Sequence, residues 1–172
     1  GVRKVLLLEE AWKAIAKEGM ASYVRYLFKT VRKYFGEAIV VTQEVEDIIS
    51  SPIVKESIIN NADCKILLDQ RKYRNKFDQI QTLLGLTDKE RAQVLSINLS
   101  NDPARRYKEV FISLGGVQSA VYATEVSDEE YLAFTTEQTE KMEVYAQAEK
   151  LDGDIEAAIR QLAERRRRER EA

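Results

Sequence analysis

Two adjacent carboxylates near the start of the chain are the side chains best suited to chemistry. Glu9 and Glu10 follow residues 5–8, an apolar run typical of a strand that is buried on both faces of a parallel sheet. A second apolar run ends in Thr42 and Gln43. Open α/β sheets bind ligands at the carboxyl ends of their strands. If the two strands are neighbours, the Gln43 amide therefore lies beside the two carboxylates.

These three side chains together suit the γ-phosphate of a nucleotide. One carboxylate would hold Mg²⁺ and the other would polarise a water molecule, while the amide would orient that water. The acidic pair also has a plainer interpretation as the first turn of the following helix, where negative side chains interact favourably with the helix dipole. The doublet alone leaves both interpretations open.

The composition excludes several classes of enzyme. The chain of 172 residues contains no His, which removes Ser-His-Asp and Cys-His catalytic sites, HExxH zinc sites and His-ligated haem. The single cysteine, Cys64, can form neither an intramolecular disulfide nor a CxxC metal site. The net charge of −2 provides no global positive field for nucleic acid or a membrane. With no leader pattern and no apolar run of about 18 residues, we expect a reduced, cytoplasmic setting without a transmembrane segment.

The elements that must position these side chains begin with three predicted strands. The strands cover residues 4–8, 38–42 and 65–68. A helical period that ends at Gly36 lies between the first two strands, and Ser51-Pro52 opens another helix before the third. An order of strand, helix, strand, helix, strand is typical of α/β folds with a parallel sheet.

An antiparallel hairpin is predicted further along the chain. Residues 109–114 and 117–123 are rich in apolar residues and flank Gly115-Gly116. This dipeptide is favoured in two-residue hairpin turns. We expect the hairpin to finish the edge of the sheet.

Apolar residues spaced with the period of a helix account for most of the remaining sequence. They cover residues 73–84, 87–97, 128–151 and 154 onward. Capping-box patterns precede two of them, at Thr87 and Ser127. The last helix ends in an arginine-rich tail, which is either a solvated helix end or a contact for DNA or anionic lipid.

Several short motifs resemble the ATPases of conjugation and type IV secretion, in the RecA-like superfamily with FtsK and HerA. The resemblance is closest to the TraG-type ATPases of conjugative transposons. The motifs are LLLEEAWK at 6–13, IVVTQ at 39–43, IINNADCKILL at 58–68, LGLT at 84–87 and RRYKEVFI at 105–112. The first is similar to a Walker B strand and the second to a sensor strand. Their order and spacing carry the resemblance.

The resemblance assigns a role to each candidate site residue. Glu10 would be the catalytic carboxylate that positions the attacking water. Glu9 would occupy the position of the usual Asp, which contacts Mg²⁺ through water. Gln43 would sense the γ-phosphate, and Arg105 or Arg106 would reach the nucleotide of a neighbouring subunit. The arginine pair also has a plainer interpretation as two exposed side chains before a strand.

The phosphate-binding motif GxxxxGK[ST] does not occur in the sequence. In the RecA-like fold this motif precedes the Walker B strand, so the resemblance implies a partial α/β P-loop domain, the Walker B half. Its sheet would be mainly parallel, with an antiparallel hairpin at the edge and long C-terminal helices. Residues 1–126 would be the C-terminal half of the ATPase domain, and residues 127–172 a helical extension. ATP and Mg²⁺ are expected in the full-length protein, and neither binding nor catalysis in this chain alone.

The function implied by the resemblance is ATP hydrolysis within a hexamer that powers type IV secretion or conjugative DNA transfer. Its partners would be further copies of the protein, secretion-channel components and DNA, and it would work in the cytoplasm at the periphery of the inner membrane. An alternative is a non-catalytic interaction module in which the helices from Asp128 onward dock on channel components. A nucleic-acid-binding regulator that uses the arginine tail is disfavoured by the acidic net charge.

Overall fold

The computed structural model describes residues 1–9, 18–43, 52, 59–100 and 107–171. The chain divides into two compact units. The first unit consists of Gly1–Pro103 and Glu109–Ala123, and the second of Ala104–Lys108 and Thr124–Ala172. The helix predicted to open at Ser51-Pro52 lies largely outside the described residues.

Two parallel strands begin the first unit. Strand β1 (Lys4–Glu9) pairs with β2 (Gly36–Val41), and the register runs from Lys4 opposite Gly36 to Glu9 opposite Val41. Helix α1 (Glu18–Thr30) covers one face of this pair. The packed side chains are Ala21, Val24 and Phe28 of α1 against Leu8, Ala38 and Val40 of the strands. The first two predicted strands and their parallel pairing are confirmed.

The connection from α1 to β2 explains why glycine stands at position 36. A 3₁₀ turn at Val31–Tyr34 follows the helix, and Phe35 adopts the left-handed conformation with φ of 55°. Gly36 is the first residue of β2 and not the cap that the sequence predicted. A Cβ atom at this position would lie 2.5 Å from Cγ2 of Val31. Close approach of the turn to the strand therefore requires glycine here.

The first unit also contains a three-stranded sheet. Its order is β3 (Cys64–Leu67), β4 (Lys108–Leu114) and β5 (Gln118–Thr124). The sequence predicted that β3 extends the parallel sheet, but β3 pairs antiparallel with β4. Periodicity identifies a strand without identifying its partner. The partner is decided here by packing, because Leu67 and Phe111 lie opposite each other and join the same apolar cluster.

The turn between β4 and β5 confirms the predicted hairpin. Gly115 and Gly116 have φ of 56° and 68°, and the N–H of Val117 donates to the carbonyl of Leu114 at 3.0 Å. Positive φ at both central residues is what a type I′ turn requires, and glycine adopts it without steric cost.

Two short helices pack on the three-stranded sheet. A 3₁₀ helix (Arg71–Lys76) leads into α2 (Phe77–Leu84), and α3 (Asp88–Ser96) follows. The predicted helix over 73–84 is therefore α-helical in its second part. The capping box at Thr87 is confirmed. The cluster that joins the helices to the sheet consists of Phe77, Ile80, Leu86, Val94, Ile97 and Phe111.

The described residues of the second unit form three helices, α4 (Asp128–Phe134), α5 (Gln138–Glu149) and α6 (Ile155–Glu171). The sequence predicted one helix over 128–151, but the chain leaves the helical conformation at Thr135, where ψ is 138°. The Thr135 hydroxyl donates to Glu140 Oε2 at 2.7 Å and accepts from the N–H of Glu137 at 3.2 Å. Local side-chain hydrogen bonds of this kind compete with helix continuation. The apolar cluster of this unit contains Leu132, Val144, Leu162 and Ala163.

Candidate functional site

The carboxyl edge of the β1–β2 pair brings two of the predicted site residues to the same place. Glu9 is the last residue of β1 and lies opposite Val41, the last residue of β2. Thr42 and Gln43 continue directly from β2. Neighbouring strands are separated by about 4.8 Å. The two strands are thus neighbours, which was the condition set by the sequence analysis, and Glu9 shares its edge of the sheet with the segment that carries Gln43.

The two faces of β1 differ in their environment. Leu6 and Leu8 are half-buried, and Leu8 packs against α1. Val5 and Leu7 are each 58% exposed, and Glu9 is exposed at the end of the same strand face. Because side chains alternate along a strand, the Glu9 carboxylate points away from α1. Among the described residues, Glu9 is exposed on the face opposite to α1.

The end of β2 supplies hydroxyl and amide groups at the same edge. Thr42 is half-buried and Gln43 is exposed. Both side chains belong to residues that also interact with other groups of the protein.

Three of the predicted site residues lie outside the described part of the chain. These residues are Glu10, Arg105 and Arg106. Their sequence neighbours are described: Glu9 ends β1, and Tyr107 precedes β4.

The donor atoms at this edge suit Mg²⁺. The carboxylate of Glu9 and the amide carbonyl of Gln43 are hard oxygen donors. Among residues 1–9, 18–43, 52, 59–100 and 107–171, there is no group of three or more His, Cys, Asp and Glu that could hold a metal. Proteins that act on phosphates commonly bind Mg²⁺ through one or two carboxylates, with water and the substrate's phosphates as the other ligands. Glu9 fits that limited role.

A polar network near the end of β3 escaped the sequence analysis. Arg71 donates through Nε to Asp69 Oδ2 at 2.8 Å, and its backbone N–H donates to Asp69 Oδ1 at 3.0 Å. The hydrogen bond from Arg71 is the main cause that lowers the pKa of Asp69 below its ordinary value. Arg71 also donates through Nη1 to the carbonyl of Asn98 at 3.3 Å. The available signal was an acidic residue directly after an apolar run, the pattern that identified Glu9.

Glu90 is a buried carboxylate with a structural role. It is 5% exposed and accepts hydrogen bonds from the Thr87 N–H at 2.8 Å and the Ser113 hydroxyl at 2.7 Å. Burial acts to raise the pKa of Glu90, but the hydrogen bonds from Thr87 and Ser113 outweigh it and lower the pKa. The sequence identified Glu90 as a capping residue, and the structure adds its bond to β4.

The arginine tail of α6 is paired with acidic side chains of α4 and α5. Arg166 lies between Glu140 at 3.2 Å and Glu143 at 3.3 Å. Three further pairs join Arg165 to Glu143, Arg167 to Glu129 and Arg170 to Asp128. These arginines connect α6 to its neighbouring helices, which neither interpretation of the tail anticipated.

The second unit also has an apolar cavity of about 390 Å³ at the end of α4. Phe134 in its wall is 82% exposed. The lining residues are Val126, Glu130, Tyr131, Phe134, Thr135, Thr136 and Glu137. In the described ranges of the chain, no helix combines the length and apolar character that a membrane span requires.

Comparison with known proteins identifies related sequences and structures. The TraG P-loop domain matches residues 1–166. Over 90 residues, or 52% of this chain, the sequence is 33% identical to the type IV secretion system protein CagE of Helicobacter pylori, and this stretch is 9% of CagE. The structure of VirB4 of Thermoanaerobacter pseudethanolicus matches with a TM-score of 0.55 and 25% identity. That match covers 74% of this chain and 32% of the VirB4 chain.

The structural match confirms the predicted fold class. The chain combines a parallel strand pair, an antiparallel sheet and long helices. In the described residues the predicted hairpin lies in the antiparallel sheet beside β3 and does not finish the edge of the parallel pair. The similarity to VirB4 extends over most of this chain. The chain spans about a third of VirB4 and a smaller part of CagE.

Proposed function

Because the chain belongs to the TraG P-loop domain family, we propose that it is part of an ATPase that powers type IV secretion or conjugative DNA transfer. The observation that carries the proposal is the register of β1 and β2, which places Glu9 and the Thr42–Gln43 segment at one carboxyl edge. In α/β sheets such an edge is where ligands bind. The type IV secretion protein CagE, which is 33% identical over 90 residues, supports the proposed setting.

Each site residue has a distinct role in the proposed reaction, in which water attacks the γ-phosphoryl group of ATP. Glu9 would hold Mg²⁺ through water, and the metal would neutralise charge on the phosphate oxygens. Glu10 would accept a hydrogen bond, and then the proton, from the attacking water. Gln43 would donate its amide N–H to the γ-phosphate and fix the direction of attack.

The Glu9 role is tested by the Mg²⁺ requirement of ATP hydrolysis in the full-length protein. Glu9→Gln keeps the size of the side chain and removes its charge, so a higher Mg²⁺ concentration should be needed for half-maximal rate. Glu37→Gln is the matched control, because Glu37 lies near the amino end of β2 and is exposed. If Glu9→Gln abolishes turnover at every Mg²⁺ concentration while Glu10→Gln remains active, the two carboxylates are assigned in the wrong order.

Arg105 and Arg106 are proposed to act on the nucleotide of a neighbouring subunit in a hexamer. An arginine supplied in trans stabilises the transition-state charge and is worth about 10³- to 10⁵-fold in rate. Full-length Arg105→Ala/Arg106→Ala protein should therefore be nearly inactive. Mixing it with Glu10→Gln subunits should restore part of the activity, because some interfaces then pair an intact Glu10 site with an intact arginine pair.

The proposed domain organisation places residues 1–126 in the C-terminal half of the ATPase domain and residues 127–172 in a helical extension. The sequence contains no GxxxxGK[ST] motif, whose backbone N–H groups and lysine hold the phosphates. Calorimetric titration of this chain with Mg-ATP should therefore show no binding. The proposed location is the cytoplasmic periphery of the inner membrane, and the proposed source is a conjugative transposon.

A second candidate function is a non-catalytic interaction module, and the cavity at the end of α4 favours it. Val126, Tyr131 and Phe134 form the apolar part of its wall, and Glu130 and Glu137 are among the other lining residues. The occupant that fits is a segment of a secretion-channel protein with an apolar anchor next to a basic residue. In the full-length protein, Phe134→Ser should weaken binding of such a component without changing ATP hydrolysis. If the variant loses ATP hydrolysis but still binds the component, the interaction-module proposal is contradicted.

A further inference from the structure

Three exposed tyrosines lie on α1 and the 3₁₀ turn that follows it. Tyr23 and Tyr26 belong to the helix and Tyr34 to the turn, and each side chain is more than half exposed. A hydrogen bond between the hydroxyl groups of Tyr26 and Tyr34 raises the pKa of Tyr34 above its ordinary value. Residues three apart on a helix are neighbours, so Tyr23 lies beside Tyr26. The three rings therefore form one exposed aromatic surface.

A row of basic side chains runs beside the tyrosines. Arg25, Lys29 and Lys33 follow one another at intervals of four residues, and all three are exposed. Arg25 and Lys29 lie on adjacent turns of α1, because residues four apart on a helix are neighbours. Lys29 is also three residues from Tyr26, so the basic row and the aromatic surface adjoin each other.

The positive charge of this row is not neutralised by nearby acidic side chains. Glu37 of β2 pairs with Arg3, and Asp63 pairs with Arg32 at 3.5 Å. Within the described ranges of the chain, no carboxylate forms an ion pair with the three cations of the row. The name tyrosine face is used below for six residues: Tyr23, Arg25, Tyr26, Lys29, Lys33 and Tyr34.

The tyrosine face is separate from both the core and the catalytic edge. The core side of α1 is formed by Ala21, Val24 and Phe28, which pack against the β1–β2 pair. Glu9 is exposed on the face of that pair away from α1. A ligand on the outer side of α1 therefore leaves the proposed ATP site uncovered.

We propose that the tyrosine face binds single-stranded DNA. The choice of DNA rests on the proposed function in DNA transfer. The phosphates lie along Arg25, Lys29 and Lys33, and the bases stack on the tyrosine rings, as in other proteins that hold single strands without reading their sequence. Stacking requires an unpaired strand, because the faces of paired bases are covered by their neighbours. The net charge of −2 gives the chain no general attraction for a polyanion, so the local row of cations supplies it.

An anionic lipid surface is the other polyanion that a basic helix can contact. Helices that lie in a membrane interface place Trp, Phe and Leu in the apolar layer. In α1 the corresponding side chains, Leu27 and Phe28, are buried in the protein. The exposed rings are tyrosines, and two of their hydroxyl groups are hydrogen-bonded to each other. This arrangement favours stacking on bases over insertion into lipid.

The stacking and electrostatic parts of the proposal have separate signatures. Loss of one base–aromatic stack typically weakens binding about 5- to 150-fold, so Tyr23→Ala/Tyr26→Ala should lose at least about 10-fold in affinity. Tyr26→Phe keeps the ring and should bind within about twofold of the parent. Each phosphate contact contributes about −0.7 to the slope of log affinity against log salt concentration. Arg25→Gln/Lys29→Gln should therefore make that slope less negative by about 1.4.

The test measures binding of a labelled oligodeoxythymidine to the full-length protein over a salt series, without ATP. The matched controls are Tyr145→Ala, which removes a half-exposed tyrosine of α5, and Lys89→Gln, which removes an exposed charge of α3. Both controls should bind as the parent does. Thermal unfolding of every variant identifies any that fail to fold, and Tyr26→Phe and Lys29→Gln are the milder variants that keep the test decisive.

Four results would overturn the inference. They are no binding by the parent, equal affinities of Tyr23→Ala/Tyr26→Ala and Tyr145→Ala, equal affinity of the parent for duplex DNA, and tighter binding of oligouridylate RNA. A fifth is loss of binding to phosphatidylglycerol–phosphatidylethanolamine vesicles by the tyrosine variant with unchanged affinity for DNA, which would make the face a lipid contact. The proposed ATPase fails separately: a parent rate of ATP hydrolysis for Glu10→Gln contradicts the catalytic edge, whatever the DNA affinities are.

Discussion

Glu90 makes hydrogen bonds both at the start of its own helix and to a neighbouring strand. It completes the capping box of α3 through the N–H and hydroxyl of Thr87. The same carboxylate accepts from Ser113 in β4. Because a buried carboxylate is costly unless its oxygens are hydrogen-bonded, the three bonds are what make this position tolerable. Removal of the carboxylate would leave the Ser113 hydroxyl and the N–H and hydroxyl of Thr87 without this hydrogen-bond acceptor.

We predict that Glu90→Ala lowers the free energy of unfolding by about 1.5 to 3 kcal/mol, the range for hydrogen bonds to charged groups. Glu130 is the matched control, since it occupies the same capping-box position beside Ser127 but is exposed. Glu130→Ala should cost about 0.3 to 1 kcal/mol, as for an acid at a helix N-terminus. Chemical denaturation measures both, and equal costs would contradict the tertiary role of Glu90.

The stability contributed by Glu90 should depend on pH. Its pKa is lowered in the folded protein, so the folded state favours the charged form more than the unfolded chain does. This contribution is complete above the ordinary pKa of Glu, about 4.3, and is lost as the pH falls through the lower folded-state pKa. Between pH 6 and about 3 the unfolding free energy should fall more in the parent protein than in Glu90→Gln. If the unfolding free energies of the parent protein and Glu90→Gln fall equally over this pH range, the prediction is wrong.

The sequence allowed part of the candidate site to be predicted at the residue scale. Glu9 and Gln43 were identified because acids and amides that follow apolar runs lie at the carboxyl ends of strands. Asp69 has the same relation to residues 65–68, but its partner Asn98 is distant in sequence. Pairing over such separations depends on packing, which a sequence pattern does not specify.

At the scale of elements, local chemistry predicted helix starts better than helix ends. Both capping boxes occur where the sequence places them, because their hydrogen bonds join residues three apart. The end of α4 was missed, since it depends on the hydroxyl of Thr135 binding Glu140. The antiparallel partner of β3 was missed because a four-residue apolar strand fits either direction of pairing.

The ion pairs of α6 should matter according to their burial. Arg166 is 24% exposed between α5 carboxylates, whereas Arg168 is 75% exposed and pairs with Glu164 on its own helix. We predict that Arg166→Ala lowers the opening free energy of α6 amides by about 1 to 3 kcal/mol. Arg168→Ala should cost below about 0.5 kcal/mol. Native-state hydrogen exchange measures both values, and comparable losses would show that α6 is not held by its contacts to α5.

At the scale of the whole molecule, the two units differ in how they relate to the proposed chemistry. The first contains the β1–β2 edge with Glu9 and Gln43. The second is a helical unit with its own apolar cluster and ion pairs. Short apolar runs that alternate with helical segments predicted the α/β class from sequence, and the match to VirB4 supports it. We therefore propose that the first unit takes part in catalysis and that the second unit binds partners.

The central claim is that the carboxyl edge of β1 and β2 is the catalytic edge of an ATPase. Its most direct test is the steady-state rate of ATP hydrolysis by full-length Glu10→Gln at saturating Mg-ATP, compared with full-length Glu37→Gln. Removing a catalytic base typically costs 10²- to 10⁴-fold, so Glu10→Gln should lose about that factor while nucleotide binding persists. Glu37→Gln, at the opposite edge of the pair, should hydrolyse ATP at the parent rate. Equal rates for the two variants would contradict the account.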